Sequence, residues 1–341
     1  MTRLFRSTIV IGVAAAIGAG GYLTWAWNRG LPHDVDSHVV NPGTPLRTFA
    51  RELYREGLLP DRYSLIMLAY LRGHSRRLKA GEYRFAKGIT QYELLDQVVA
   101  GRVIEYPLAL IEGWTFEQFL HAIREAPKMT STLSDLGQQE IMARLGHPDL
   151  HPEGQFFPDT YYYSAGTTDL ALLRRAFERM QTRLQGEWEG RAPELPLDTP
   201  YQALTLASIV EKETGHAGER RLVAGVFLNR LRIGMRLQSD PTVIYGMGST
   251  FDGNLRRRDL ERDSPYSTYT RRGLPPTPIA MPGGDALHAV LHPEETDALY
   301  FVARGDGTHH FSETLQQHNE AVIKYQLGGK RRRFSSYSTQ K

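Results

Sequence analysis

Hydrophobic and polar positions divide the 341-residue chain into segments of different period. Residues 7–28 carry no charge, and Ile9 to Ile17 form an apolar run. About 20 apolar residues cross a bilayer as a helix, so residues 7–28 are predicted to be a transmembrane anchor. Residues 30–41 then read as a linker. Phe49, Leu53 and Leu58 supply the apolar face of a helix, with Thr44 as its expected N-cap and Pro45 at its first position. A second helix is predicted over 63–71. Residues 81–85 alternate as a strand does. Thr90 caps a helix over 92–99 that stops at Gly101, and residues 103–110 read as a strand. Residues 38–107 therefore make a small α/β module.

A larger α+β module is predicted over 108–327. Thr115-x-x-Gln118 is a capping box ahead of a helix over 116–126. Further helical periods cover 169–189, 200–214 and 219–232. Residues 250–284 are rich in Pro, Gly, Tyr and Arg and show no period, the mark of a functional loop. Residues 299–303 read as a strand, and Gly305-Asp306-Gly307 turns the chain back toward His309 and Phe311 as a hairpin. Ser312 is the expected cap of a last helix reaching 326. Residues 328–341 read as a disordered basic tail. The fold class is α+β, with a single N-terminal transmembrane helix.

Composition narrows the chemistry. The chain has no Cys, which removes disulfides, thiolate metal sites and Cys nucleophiles. Its 41 Lys+Arg against 38 Asp+Glu give a net charge of +3. Seven of those cations are Arg3, Arg6, Lys330, Arg331, Arg332, Arg333 and Lys341. The body between them is left with 34 basic against 38 acidic residues. It is mildly acidic, so no nucleic-acid partner is expected. Arg3 and Arg6 in residues 1–6 predict a cytoplasmic N-terminus, and Tyr22, Trp25 and Trp27 suit the opposite interface. A cleaved signal peptide is the rival. The apolar run continues past both small-residue sites, 14–16 and 18–20, which favours an uncleaved anchor. The expected location is the inner membrane of a bacterium, single-pass, with the larger domain in the periplasm, away from nucleotide cofactors.

One carboxylate stands out. Each helical residue advances about 100°. In 200–214, Ala203, Leu206, Ile209 and Val210 form an apolar stripe, and Glu213 falls inside it at the helix C-terminus. Lys212 shares the face of Thr205 and Ser208, which reads as solvent-facing. Glu211 lies at the stripe's edge. Burial and the negative end of the helix dipole both disfavour an anion, so the Glu213 pKa should rise. A protonated glutamic acid is what glycosidic cleavage requires of its general acid. An ion pair with Arg256, Arg257, Arg258, Arg271 or Arg272 is the alternative, and phase alone leaves both open. Asp240 is the expected N-cap of a helix with Pro241 at its first position. Tyr266, Thr268 and Tyr269 sit in a rigid aromatic loop of the kind that lines a sugar groove. His309 and His310, adjacent on a strand, point to opposite faces and argue against a metal. No Gly-x-Ser-x-Gly, Walker or Rossmann pattern occurs.

The run Ala207-Ser208-Ile209-Val210-Glu211-Lys212-Glu213-Thr214 resembles the signature of the YceG-like endolytic murein transglycosylases. So do residues 236–245, Gly273-Leu274-Pro275-Pro276, Glu153-Gly154 with Phe157-Pro158-Asp159-Thr160, and residues 299–303. Thr277 departs from the usual Gly, Met281 from a usual polar residue, and Gly215-His216 follow the Glu-Thr pair. The resemblance implies a LysM-like module over 38–107 and a catalytic domain over 108–327. It implies cleavage of the MurNAc-β-1,4-GlcNAc bond within peptidoglycan strands, leaving 1,6-anhydro-MurNAc ends, with Glu213 catalytic. Gln238, Asp240, Tyr266, Thr268 and Tyr269 are the candidate substrate-binding residues. Because the muramyl C6 hydroxyl is the nucleophile, no second carboxylate, metal or cofactor is required. The implied partners are glycan strands and the peptidoglycan synthases of the elongation or division machinery. The alternative is a non-catalytic, membrane-anchored scaffold that binds peptidoglycan.

Overall fold

The computed structural model describes residues 2–327, with side chains from residue 8. The expected basic tail at 328–341 lies outside the described residues. The chain divides into two compact units. One comprises Met1–Pro107 with Pro127–Thr130 and Tyr162–Thr167; the other comprises Leu108–Ala126, Ser131–Tyr161 and the chain from Thr168 onward.

The first unit begins with helix α1 (Thr2–Asn28), which is long and apolar enough over Thr8–Asn28 to cross a membrane. Its last turn docks on its own unit. Ala26 is buried, the Trp27 indole N–H donates to the Ser64 carbonyl at 2.9 Å, and Gln91 donates to the Ala26 carbonyl at 3.1 Å. Then follow β1 (Val35–Val40), α2 (Leu46–Arg55), α3 (Arg62–Leu71), β2 (Gly81–Phe85), α4 (Gln91–Ala100) and β3 (Glu105–Leu110). β1 and β2 pair antiparallel, with His38 opposite Tyr83 and Val40 opposite Gly81. Phe49, Leu53, Leu65, Leu68, Tyr83, Phe85, Leu94 and Leu95 form the core.

Two local expectations are corrected in this unit. Residues 30–41 are not a plain linker, because β1 lies within them. Only His38 and Val40 of β1 are buried, so the strand shows no apolar alternation. Helix α2 starts one residue late, with Pro45 as N-cap and no side-chain cap from Thr44. Pro45 sits at φ −67°, ψ 145°, outside the helical region. Thr90 and Glu93 do form a capping box, and Gly101 closes α4 at φ 75°.

The second unit holds α5 (Phe116–Arg124), α6 (Gln138–Leu145), α7 (Asp169–Glu189), α8 (Pro200–Glu213), α9 (Arg220–Arg232), α10 (Asp240–Met247), α11 (Arg257–Glu261), α12 (Gly284–Leu291) and α13 (Leu315–Tyr325). β3 and β4 (Asp159–Ser164) are each divided between the two units. The hairpin β5 (Tyr300–Ala303) and β6 (His309–Ser312) sets Tyr300 opposite Ser312 and Phe301 opposite Phe311. Helix α8 is the centre, packed by α7, α9, α10 and α12. Its Ala203, Leu206, Ile209 and Val210 stripe is buried.

The face of Thr205 and Ser208 is also buried, contrary to the solvent-facing expectation. Helices surround α8, and its hydroxyls are satisfied locally. Thr205 donates to the Tyr201 carbonyl, and Ser208 donates to the Thr205 carbonyl while accepting from the Ile279 N–H at 3.0 Å. Only Lys212, at the end, is exposed. The last helix is capped by Thr314 in a capping box with Gln317, not by Ser312. Ser312 is buried as the last residue of β6.

Candidate active site

Helix α8 ends at Glu213 because Thr214 turns extended, at φ −141° and ψ 126°. The Glu213 carboxyl is therefore placed at the C-terminal end of a buried helix. Its Oε1 accepts a 2.5 Å hydrogen bond from the Ser239 hydroxyl. Burial pushes its pKa up to about 7; the Ser239 bond and the Arg230 charge lower it, and the Asp240 charge raises it. Among the described residues no arginine ion-pairs with Glu213. Arg256 pairs with Asp252, Arg258 with Asp259 and Arg271 with Asp263. Arg230 is held by the Leu299 and Leu237 carbonyls and lies over the Tyr300 ring.

Glu213 opens into a cleft of about 500 Å³ that Arg230, Gln238, Asp240, Tyr269, Tyr300 and His309 also line. Gln238 adopts φ 52°, a left-handed conformation rare for a non-glycine residue. That backbone is fixed by the loop opposite. Gln238 N–H donates to the Thr268 carbonyl at 3.1 Å and Ser239 N–H to the Thr268 hydroxyl at 3.0 Å. Thr242 and Thr268 hydroxyls meet at 2.9 Å. Tyr269 donates to Asp240 Oδ1 at 2.6 Å. Burial first, and then the Asp240 charge, push the Tyr269 phenol well above its ordinary range.

Three of the five expected substrate-binding residues, Gln238, Asp240 and Tyr269, thus line one cleft with Glu213. The other two do not line it. Thr268 is 2 % exposed and bonded into the loop. Tyr266 packs edge-on against Tyr245 at 4.9 Å and bonds Thr277. The N-cap of α10 is Ser239, and Asp240 occupies the first helical turn without capping it. The hydroxyl that caps nothing is instead turned onto Glu213.

Other carboxyls are placed differently. Glu211 Oε2 accepts from the Gly283 N–H at 2.9 Å and its Oε1 lies 3.8 Å from Arg220. It does not line the Glu213 cleft. Glu153, 3 % exposed, accepts from the Phe116 N–H and the Tyr245 hydroxyl, both at 3.0 Å. Burial pushes its pKa up to about 7 against those bonds. Through Tyr245 and Tyr266 it backs the loop that carries Tyr269. Glu153 and Ser239 lie in motif segments of the sequence but carry no expected role there, and Arg230 lies in none of them. Ser239 lay between two candidates, but nothing in its spacing marks a hydroxyl that will face a glutamate 26 positions away.

A sequence model of the YceG-like family matches residues 38–324. An endolytic murein transglycosylase of Bacillus subtilis is 33% identical over 264 residues, covering 72% of this chain and 73% of that protein. One of Streptococcus pneumoniae strain D39 is 26% identical over 353 residues, covering 91% of this chain. This chain spans only 63% of the pneumococcal protein's length. A crystal structure of a yceG-like protein from Listeria monocytogenes aligns with a TM-score of 0.53 at 26% identity, covering 85% of this chain and 99% of that one. With the family match running from the first unit almost to the end of α13, the chain belongs to the YceG-like family.

Proposed function

We propose that this protein is an endolytic murein transglycosylase, cleaving MurNAc-β-1,4-GlcNAc bonds within glycan strands and leaving 1,6-anhydro-MurNAc ends. The observation that carries the reading is the Glu213 carboxyl, poised near pH 7 at the wall of a cleft. Protonated Glu213 gives its proton to the glycosidic oxygen as the C1–O bond breaks. The muramyl C6 hydroxyl bonds to C1 and returns its proton to the Glu213 carboxylate, which restores the acid. No water is consumed. Ser239 fixes one carboxylate oxygen, so the other is free to face the sugar. Gln238, Asp240 and Tyr269 are the residues placed to contact the strand. Digestion of purified sacculi followed by mass spectrometry tests the reaction. Anhydro-ended fragments support it, and products with free reducing ends would identify a hydrolase instead.

The remaining features extend the reading. Helix α1 serves as a single-pass inner-membrane anchor with its N-terminus cytoplasmic, and the domain from residue 108 onward works in the periplasm on nascent strands beside a peptidoglycan synthase. Residues 38–107 act as a LysM-like module, a reading supported by an antiparallel strand pair packed with helices around a shared core, although three helices, α2, α3 and α4, build that core.

A further inference from the structure

We propose that Glu187, His288 and His292 form a binding site for a late first-row divalent metal ion, with zinc as the representative. The three come from two helices. His288 and His292 are one turn apart at the end of α12, so their rings share a face, 4.4 Å between centroids and 28° from parallel. Glu187 lies in the last turn of α7, which packs on α12. His288 Nδ1 is 3.0 Å and His292 Nε2 3.5 Å from the same oxygen, Glu187 Oε2. All three donor atoms lie within 4.8 Å of one another.

Those separations suit a metal. Zinc holds nitrogen and oxygen ligands at about 2.0–2.2 Å, so neighbouring donors of a tetrahedral site stand about 3.4 Å apart. The 3.0 and 3.5 Å distances bracket that edge. Two imidazoles and one carboxylate are donors that favour zinc over magnesium or calcium. The carboxylate is already oriented. Arg183 donates to Glu187 Oε1 at 2.9 Å, which leaves Oε2 to the histidines. The Glu187 side chain is 12% exposed and that of His288 50%, so the site has a fixed inner ligand and an open outer side for a fourth ligand such as water. A cleft lined by Phe157, Arg183, Glu187 and His288 gives solvent access. None of the three residues lines the Glu213 cleft. An ion there would clamp α7 to α12, two of the helices that enclose α8, and so serves stability rather than glycosidic chemistry.

The test uses the full chain in detergent, stripped with a chelator and titrated with zinc. Isothermal titration is expected to give about one equivalent per chain, as a single three-ligand site requires. Cobalt substitution is expected to give the strong visible bands of a tetrahedral ion. His288→Gln and His292→Gln should each weaken zinc binding by at least about tenfold, while His310→Gln leaves it unchanged. Zinc should raise the unfolding temperature of the wild type and not of His288→Gln, whose exposed position keeps the fold intact. No zinc uptake by the wild type, or equal uptake by the His288→Gln and His292→Gln variants, would overturn the proposal and leave the cluster a histidine–carboxylate contact.

Discussion

At Glu213 two influences oppose each other, and their balance sets the working pH. Burial raises the pKa, and the Ser239 hydroxyl bond lowers it. Ser239→Ala removes the lowering contribution, so the pH at which activity falls by half should move upward from about 7; a pH–rate profile reads this directly. The same carboxyl makes a statement about stability. Its folded pKa, about 7, lies above the ordinary value of 4.5. The folded state therefore prefers the protonated form. This contribution is fully present below about pH 4.5 and is lost as pH rises through 7. Glu213→Gln should consequently raise stability at pH 8 by about 3 kcal/mol and leave it nearly unchanged at pH 4. Urea unfolding at the two pH values checks the difference. Gln238 offers a second trade. Its φ of 52° costs about 1 kcal/mol in a non-glycine residue, so Gln238→Gly should stabilise the fold by about that amount while lowering activity through loss of the cleft amide. The inward aim of Glu213 is legible in the sequence because three neighbours on one stripe decide where a helical side chain points. The roles of Ser239, Arg230 and Glu153 are not legible there, because they depend on contacts between segments far apart in the chain.

Among the elements, α8 carries the greatest responsibility, since it is enclosed by four helices and ends on the proposed acid. Leu206→Ala, at a fully buried position of α8, should cost about 2–5 kcal/mol. The contact between α9 and the segment after α12 is equally close. A Cβ at Gly225 would meet the Glu294 carbonyl at 2.8 Å and Thr296 Cγ2 at 2.9 Å. Gly225→Ala should therefore cost about 1–3 kcal/mol, visible as a lower denaturant midpoint. Elements with strong end signals are legible in the sequence: α4 through its Thr90 cap and Gly101 stop, α5 through its capping box, α7 through its long period, and the β5–β6 hairpin through its glycine turn. Those missed were short or masked by composition. α6 and α12 have eight residues each, about two turns, too few for a period to stand out. β4 reads Asp-Thr-Tyr-Tyr-Tyr-Ser, with polar ends and aromatics on both faces. The burial of Thr205 and Ser208 is not legible in the sequence because a local pattern cannot tell a half-buried helix from a central one.

For the whole molecule, the proposed anchor α1 and the proposed acid in its cleft define the proposed action, that of a wall enzyme held at the membrane by one helix. The absence of cysteine from the sequence makes its orientation directly measurable. A cysteine placed at Thr2 should resist a membrane-impermeant maleimide in spheroplasts, whereas one at the exposed Ser134 should react; equal labelling of both would contradict the proposed topology. The central claim is that Glu213 alone supplies the acid and then the base. Its most direct test is mass spectrometry of muropeptides released from purified sacculi by wild type, Glu213→Gln and Glu211→Gln. Anhydro-ended products are expected from the wild type and from Glu211→Gln, and none from Glu213→Gln although it still binds sacculi. Full product release by Glu213→Gln, with loss in Glu211→Gln, would contradict it.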